Sequence, residues 1–300
     1  MEEITRVMKI KASFFAAAIL CLLVLSGCGN KIRTKTYHYY SEKPHATLSM
    51  TVDLPVSTDG VAGEIRNGLI DIMDSQMSRV AYYEEGRLFP KYDGDYNKTV
   101  PMLRYYLRSA ADALLSSADA DFSERSGYIM ADEDLSEEEK ADVLDSFPGY
   151  EYDFQLTKEY ETDRFIVFLS EDYVYAGGAH GGVTGQGAVT FDKSFGKRFT
   201  SFIKDGSLEA MQGLFVKGLV EYLNDSAGSV NEQNVFDHLF LEDKVIPFPA
   251  WTPAPTKEGL CFTYQQYEIA AYALGMPSFT IPYDEVKPYL TPEAIALLNL

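Results

Sequence analysis

A segment near the N-terminus carries the clearest chemical signal in this sequence of 300 residues. Three basic residues within the first eleven precede an apolar run from 14 to 25, which is shorter than the about 20 residues that span a bilayer. The run ends in a tetrad that resembles a lipobox: Leu25, Ser26, Gly27 and Cys28. Small residues let an extended backbone enter a peptidase cleft, and the thiol accepts a diacylglycerol. The pattern predicts a signal peptide over 1–27 and a lipid-modified, membrane-anchored Cys28.

A second group of residues with chemical potential lies in a glycine-rich segment. Its members are Tyr175, Gly177, Gly178, His180 and Gly181. His180 could serve as a general base, with Glu268 as the carboxylate that orients it. A buried histidine whose ring bonds a backbone group and pins a glycine-rich turn is the more common arrangement. The segment is therefore a candidate turn, either functional or structural.

A third group is rich in tyrosine and forms a candidate binding surface. Its members are Tyr264, Tyr267, Glu268 and Tyr272. Tyrosine is favoured at recognition surfaces because its ring buries a large apolar area while its hydroxyl keeps a hydrogen bond. Tyrosines also occupy cores and rims, and Glu268 also fits an ordinary capping or cross-strand hydrogen bond. A tyrosine-lined groove and a packed core both remain open.

No sequence pattern for a metal, a cofactor or a nucleophile is apparent. The other histidines are His38, His45 and His238, and none lies at ligand spacing. Cys261 lies in an apolar run, where a buried free thiol is the default. The sequence has no nucleophilic serine motif and no Cys/His pairing. We expect no metal, no cofactor and no catalytic set.

The glycine-rich and tyrosine-rich segments together carry a family resemblance. The first has the sequence YAGGAHGG, and the second runs from FTYQQYEIAAYALG into IPY and KPYL. In this order they resemble a bacterial extracytoplasmic domain family of unknown function, over about 173–290. That family forms the outer domain of the lysozyme-sensing RsiV-type anti-sigma factors and accompanies PdaC-type peptidoglycan deacetylases. The part before 173 resembles the small α+β domain that usually precedes it. Ala271 departs from the family, which commonly has proline there.

The charge balance excludes one class of partner. The chain has 26 Lys+Arg and 45 Asp+Glu, a net charge of −19. Residues 1–27 hold three of the basic and two of the acidic residues, so the remainder has 23 and 43 and a net charge of −20. Such a surface repels nucleic acid, because phosphates need cationic neutralisation. It attracts cationic partners, although solubility alone accounts for the charge of most acidic proteins.

Hydrophobic periodicity predicts an α+β fold of two small domains, each an antiparallel sheet packed with helices. The predicted strands cover 45–56, 151–159, 164–170, 172–176, 187–192, 260–264 and 279–282. The predicted helices cover 61–82, 102–117, 137–145, 207–223, 234–241, 284–290 and 292–298. The predicted division is a lipidated tether at 28–40, an N-terminal domain at 41–172 with an acidic insertion at 119–148, and a C-terminal domain at 173–300.

These observations favour a binding lipoprotein of the cell envelope, held in the inner or the outer membrane. The resemblance implies a cationic protein such as lysozyme, or a peptidoglycan-type glycan, as the partner. One alternative is a peptidoglycan-acting or accessory enzyme module that uses the His180 region. A second alternative is a structural envelope lipoprotein.

Replacing Cys28 tests the predicted anchor. The Cys28→Ala variant lacks the sulfur that accepts the diacylglycerol, so we expect it to incorporate no labelled fatty acid and to accumulate as soluble protein or uncleaved precursor. Cys261→Ser changes the other cysteine that follows the signal peptide and should incorporate label as the unchanged chain does. Equal incorporation into Cys28→Ala and the unchanged chain would contradict the prediction.

Overall fold

The chain folds into two β-sheets with helices packed against them, and the computed structural model describes residues 31–80, 86–177, 181–227 and 229–300. The large sheet contains, in chain order, β1 (Thr34–Lys43), β2 (Ala46–Pro55), β3 (Tyr150–Glu161), β4 (Phe165–Tyr175), β5 (Val183–Asp192) and β6 (Lys197–Phe199). The small sheet contains β7 (Ala254–Pro255), β8 (Gly259–Thr263) and β9 (Ser278–Pro282). The α-helices are α1 (Gly60–Met77), α2 (Thr99–Ala131), α3 (Glu137–Asp145), α4 (Leu208–Ala227), α5 (Tyr283–Val286) and α6 (Pro292–Leu298). The predicted α+β fold class is confirmed.

The large sheet is antiparallel except between β2 and β3, which are parallel. A parallel pair needs a long crossover connection, and the chain between β2 and β3 supplies it with α1, α2 and α3. Apolar residues of α1 and α2 cover one face of the sheet. The predicted antiparallel meander of β3, β4 and β5 is confirmed.

Strand β4 is buried on both faces of the large sheet. Ile166 and Phe168 belong to the core shared with α1 and α2. Phe165 and Val167 belong to a second core, shared with α4 and the small sheet. Because successive strand side chains alternate between faces, four consecutive apolar residues are what a strand covered on both sides requires. Residues 164–170 and 172–176, predicted as two strands, therefore form one strand that pairs with β3 and β5 along its length.

The second core is built around aromatic rings. The ring of Phe215 on α4 lies 5.2 Å from that of Phe262 on β8 and 5.8 Å from that of Phe279 on β9, measured between centroids. Gly218 permits this approach, because a Cβ at that position would come within 2.3 Å of the Phe279 ring. Helix α4 therefore packs closely on one face of the small sheet.

The predicted domain boundary between 172 and 173 lies inside strand β4. Strands β5 and β6, from the predicted C-terminal domain, extend the sheet that β1, β2 and β3 begin. The two halves of the chain therefore share one sheet, and its two faces carry the two cores.

The predicted tether at 28–40 needs a correction at its C-terminal end. Residues 34–40 belong to β1, which pairs with β2 from Thr34 opposite Pro55 to Lys43 opposite Ala46. The sequence did not predict this strand because most of its residues are polar. They can be polar because β1 lies at the edge of the sheet and keeps most of its side chains partly exposed. The chain is therefore ordered much closer to Cys28 than the composition indicated.

The predicted acidic insertion at 119–148 is mostly helical. Helix α2 continues to Ala131, well beyond the predicted end at 117. Helix α3 begins with the predicted capping box, in which Ser136 accepts a hydrogen bond from the Glu139 backbone N–H and donates its own N–H to the Glu139 carboxylate. Residues 119–145, here called the acidic arm, contain eleven acidic and two basic residues.

A buried carboxylate ties the N-terminus of the described chain to the large sheet. The Glu161 side chain is 3% exposed and accepts hydrogen bonds from Lys193 Nζ at 2.7 Å, Lys158 Nζ at 2.6 Å and the Ile32 backbone N–H at 2.6 Å. Burial by itself raises the pKa of this carboxyl, but these donors outweigh burial and hold the pKa below its ordinary value. Glu161 is therefore ionised and paired in the folded protein.

Replacing Glu161 tests how much this pairing stabilises the fold. Glu161→Gln leaves the buried Lys193 ammonium without a counter-charge, so we expect a loss of about 3–5 kcal/mol in the free energy of unfolding measured with urea. The stability from Glu161 is present above the carboxyl's unfolded pKa and is lost as pH falls through its lower folded pKa. The variant should therefore show a weaker loss of stability on acidification.

The control for this experiment is the exposed neighbour Glu159. Glu159→Gln should change the free energy of unfolding by less than about 0.5 kcal/mol. Equal effects of the two substitutions would show that the buried cluster adds no stability.

Candidate functional site

The two motif segments meet at the outer edge of strand β5. Strand β6 pairs only with Thr190–Asp192, so within the described strands the first half of β5 has no partner on that side. The loop after β8 occupies this edge instead. The structure thus brings the glycine-rich hairpin and the tyrosine-rich loop together, although about 80 residues separate them in sequence.

Two glutamine side chains complete the edge of β5. The Gln186 backbone N–H donates to Gln265 Oε1 at 2.8 Å, and Gln265 Nε2 donates back to the Gln186 carbonyl at 2.7 Å. The Thr184 backbone N–H donates to Gln266 Oε1 at 2.9 Å. A carboxamide carries the same donor and acceptor as a peptide group, so these side chains replace a strand and block the edge from pairing with other chains. No local sequence pattern marks Gln265 and Gln266 for this role, because it depends on the edge of β5, about 80 residues away.

Glu268 stabilises this loop through two hydrogen bonds to backbone groups. Its carboxylate accepts hydrogen bonds from the Ala250 backbone N–H and from the Gln265 backbone N–H, both at 2.7 Å. One oxygen therefore fixes the start of the loop at Gln265, and the other joins the loop to the segment before β7 at Ala250. The predicted pairing of Glu268 with His180 stays a prediction, because Gly178, Ala179 and His180 lie outside the described residues.

Three tyrosines of the candidate surface have three different roles. Tyr264 is fully buried, and its hydroxyl donates to the Pro247 carbonyl at 2.7 Å, so it belongs to the core and not to a surface. Tyr272 lies against the hairpin, where its hydroxyl donates to the Gly182 carbonyl at 2.8 Å. Tyr267 is 54% exposed, and its ring centroid lies 5.6 Å from that of Tyr272. The predicted surface is thus reduced to Tyr267 and the rim of Tyr272.

Tyr267 has a backbone conformation that is unusual for an aromatic residue. Its φ is +65°, in the left-handed region. This region costs a residue with a bulky side chain of the order of 1–3 kcal/mol, and such residues concentrate at ligand clamps and active sites. The hydrogen bonds of Glu268 and Gln265 on either side hold this turn. The turn fixed by these hydrogen bonds therefore keeps an aromatic side chain exposed to solvent beside the hairpin.

The hairpin itself depends on glycine at two described positions. Gly181 has φ +79°, and a Cβ there would lie 3.1 Å from the Tyr272 hydroxyl. A Cβ at Gly182 would lie 2.2 Å from the ring of Tyr173. The predicted turn residue Tyr175 ends β4 and is partly buried.

The acidic arm lies against the other side of the hairpin. Arg125 of α2 donates to the carbonyl of Gly177, whose φ is +65°, at 3.4 Å and to the Asp121 carboxylate at 3.0 Å. The cationic group of Arg125 also lies 5.7 Å from the ring centroid of Phe147, just after α3. The hairpin therefore stands between an aromatic loop and the most acidic part of the chain.

A cleft of about 350 Å³ lies between the large and the small sheet. The rings of Tyr160 and Trp251 contribute to its walls, and Cys261, Thr263 and Ser278 lie on the small-sheet side. Thr263 and Ser278 share a hydrogen bond of 2.9 Å between their hydroxyls, and Cys261 Sγ lies 3.4 Å from Ser278 Oγ. Cys261 is partly exposed to this cleft, and is not the fully buried thiol that the sequence indicated.

The described residues contain neither a metal-type cluster of side chains nor a membrane-spanning helix. In these residues, no three His, Cys, Asp or Glu side chains come together as a metal site would require. No helix among them is both long and apolar enough to cross a bilayer. The lipobox residues Leu25, Ser26, Gly27 and Cys28 lie outside the described part of the chain, so the lipid anchor stays a prediction.

Comparisons with known proteins agree with the motif analysis at the level of the family. Residues 200–284 match the family described as "Protein of unknown function (DUF3298)". No curated protein sequence matches the chain. A solved DUF3298 family member from Bacteroides fragilis NCTC 9343 is 15% identical, with a TM-score of 0.60 over 88% of this chain and 94% of that one. A DUF3298 family protein from Pseudomonas aeruginosa PAO1 is 14% identical, with a TM-score of 0.52 over 89% and 98%. Such identities show a shared fold alone, so the chain matches the DUF3298 family over 200–284 and folds like two solved proteins of that family.

Proposed function

We propose that this protein is a lipid-anchored extracytoplasmic binding protein, and that its recognition surface is the β4–β5 hairpin together with Tyr267 and the rim of Tyr272. The observation that carries the proposal is the exposed Tyr267 ring, held at φ +65° on a loop that is tied to the hairpin. A rigid, exposed tyrosine loses little conformational entropy when it binds a partner. Backbone strain of this kind concentrates at ligand clamps, so its occurrence under an exposed aromatic ring is consistent with recognition.

The charge distribution supports a cationic protein such as a lysozyme as the partner. The chain has a net charge of −19, and eleven acidic residues lie in the acidic arm that contacts the hairpin through Arg125. A field of this sign raises the rate at which a cation meets the surface. The resemblance of the glycine-rich and tyrosine-rich motifs to lysozyme-sensing domains points to the same class of partner.

Tyr267→Gly tests this surface without weakening the fold. Glycine adopts φ +65° without strain, so the variant should keep or raise the free energy of unfolding while it loses the aromatic contact. With the full chain in detergent micelles and hen egg-white lysozyme as the probe, we expect Kd to rise by about 30-fold, the value for a 2 kcal/mol hot spot. Biolayer interferometry measures both rate constants. Raising the salt from 0.1 M to 1 M shortens the Debye length from about 10 Å to about 3 Å, so association should slow more than dissociation quickens.

The matched control is Tyr128, which is 71% exposed on the acidic arm. Tyr128→Ala should change Kd for lysozyme by less than about twofold, because an isolated surface side chain away from the contact contributes little. Equal weakening by both substitutions would contradict the proposed surface. Absence of saturable binding to any of several lysozymes at low salt would contradict the proposed partner.

The cleft between the sheets favours a cell-envelope glycan as a second candidate partner. Sugar rings stack their apolar faces on aromatic side chains and use hydroxyl partners for orientation, and the cleft offers Trp251 and Tyr160 beside Thr263 and Ser278. Its volume of about 350 Å³ lies within the range of about 300–1,000 Å³ for small-molecule pockets. This site is separate from Tyr267, so the two candidates can be tested independently.

Trp251 is the single tryptophan of the chain and therefore reports on this cleft. Titration with N-acetylglucosamine oligomers or soluble peptidoglycan fragments should give a saturable change in tryptophan fluorescence. Thr263→Val removes a hydroxyl with little change of shape and should weaken this binding several-fold, since a lost hydrogen bond costs about 1 kcal/mol. Tyr267→Gly should leave it unchanged. A flat titration with every fragment would exclude the glycan candidate.

A further inference from the structure

The two ends of the large sheet differ in chemistry and in what they hold. One end, here called the anchor end, contains Arg33 before β1, Val56 after β2, Arg164 before β4 and Phe195 between β5 and β6. The strand registers place these positions together, because Thr34 lies opposite Pro55 and Phe165 lies opposite Asp192. The opposite end, here called the hairpin end, contains the β1–β2 turn and the β4–β5 hairpin.

The chain enters the fold at the anchor end and is fixed there from Ile32 onward. The Ile32 backbone N–H donates to the buried Glu161 carboxylate at 2.6 Å, and Lys158 Nζ donates to the Ile32 carbonyl at 3.2 Å. The Val56 backbone N–H donates to the Arg33 carbonyl at 2.9 Å. The N-terminal segment therefore cannot detach without breaking hydrogen bonds to both members of the Lys158–Glu161 ion pair.

The covalent link from Ile32 to Cys28 is very short. Four residue steps separate the two positions. A fully extended chain spans at most about 3.3–3.6 Å per residue, so these steps reach about 14 Å. If Cys28 carries the lipid, which is the anchor in the proposed function, the anchor end cannot be farther than this from the headgroups.

The surface of the anchor end suits a bilayer. Phe195 is 69% exposed and Val56 is 53% exposed, although no described residue covers either as a core neighbour would. The exposed cations at this end are Lys31, Arg33, Arg164, Lys197 and Arg198. The nearby exposed carboxylates are Asp59, Glu64, Asp163 and Glu293, and Asp192 lies partly buried beside them. Five cations thus face five carboxylates, against 26 and 45 in the whole chain, so this end is repelled less by anionic lipid than the chain as a whole.

We infer that the anchor end rests directly on the membrane surface, with Phe195 in contact with lipid, and that the large sheet stands upright so that the hairpin end points away from the bilayer. Strand β4 has eleven residues and spans about 33 Å at 3.3 Å per step. Tyr267 and the acidic arm therefore lie at about that height above the bilayer. The orientation keeps the acidic residues away from anionic headgroups, which would repel them.

An environment-sensitive fluorophore tests the contact in the full lipidated chain. In a Cys261→Ser background, Phe195→Cys and Tyr128→Cys each carry the label, and the protein is reconstituted into phosphatidylglycerol–phosphatidylethanolamine vesicles that contain nitroxide-labelled lipid. We expect the label at 195 to show blue-shifted emission and to lose most of its intensity to the nitroxide. The label at 128, on the acidic arm, should keep the emission of a water-exposed dye.

Lengthening the tether provides the matched control. An insertion of about 20 Gly/Ser residues after Asn30 adds an r.m.s. reach of about 25 Å and leaves the lipobox unchanged. If the short tether sets the orientation, the label at 195 should lose most of its quenching in this variant. Unchanged quenching would show that the rest of the anchor end stays on the bilayer without the short tether, which would still support the contact surface.

Mass spectrometry of the N-terminal peptide separates the two ways in which the inference can fail. A chain without lipid on Cys28 would overturn both the proposed anchor and the orientation. A lipidated chain whose labels at 195 and 128 are equally exposed to water would overturn the orientation alone. Equal quenching of both labels would also overturn it, because the sheet would then lie flat on the membrane.

Discussion

The burial of strand β4 on both faces is the constraint on which the rest of the structure depends. Phe165 and Val167 pack towards α4 and the small sheet, while Ile166 and Phe168 pack towards α1 and α2. Helices α1 and α2 cover one face of this strand, and α4 with the small sheet covers the other, so neither layer alone can bury it. The two layers on either side of the sheet are therefore stabilised by the same strand, and loss of either core would expose apolar residues of β4.

The same shared sheet decides how the candidate site is built. Strand β5 extends the sheet beyond β4 and leaves part of its outer edge without a strand partner. The carboxamides of Gln265 and Gln266 supply the missing hydrogen bonds, and Glu268 fixes the loop that carries them. The exposed Tyr267 is a consequence of this arrangement, because the loop must reach the edge and turn back within a few residues. The loop that covers the edge of β5 therefore also exposes the Tyr267 ring.

Charge and connectivity give the molecule two unlike ends. At one end of the sheet, the buried Glu161 carboxylate accepts hydrogen bonds from two lysines and from the Ile32 backbone N–H. The acidic arm lies at the other end, where Arg125 joins it to the hairpin. In a protein held by its N-terminus, this separation directs the acidic surface and the aromatic loop outward. The proposed recognition of a cationic partner and the proposed membrane contact would then use different surfaces.

Local patterns in the sequence determined much of this structure. The α+β class, α6 at 292–298, the Ser136–Glu139 capping box and the order of β3, β4 and β5 all follow from periodicity and short-range chemistry. The sequence also marked the glycine-rich and tyrosine-rich segments as belonging together. These features depend on neighbours within a few residues, so a linear reading contains the information that specifies them.

Tertiary structure alone decided the remaining features. Strand β1 is polar in sequence and exists because β2 pairs with it, and Tyr264 is buried whereas Tyr267, three residues later, is exposed with a left-handed backbone. The partner of Gln265 lies about 80 residues away, and the partner of Ile32 lies at Glu161. No periodicity encodes such contacts, because they arise only when the sheet brings distant segments together. The sequence therefore determined which segments carry the site, and the fold decided which side chains face solvent.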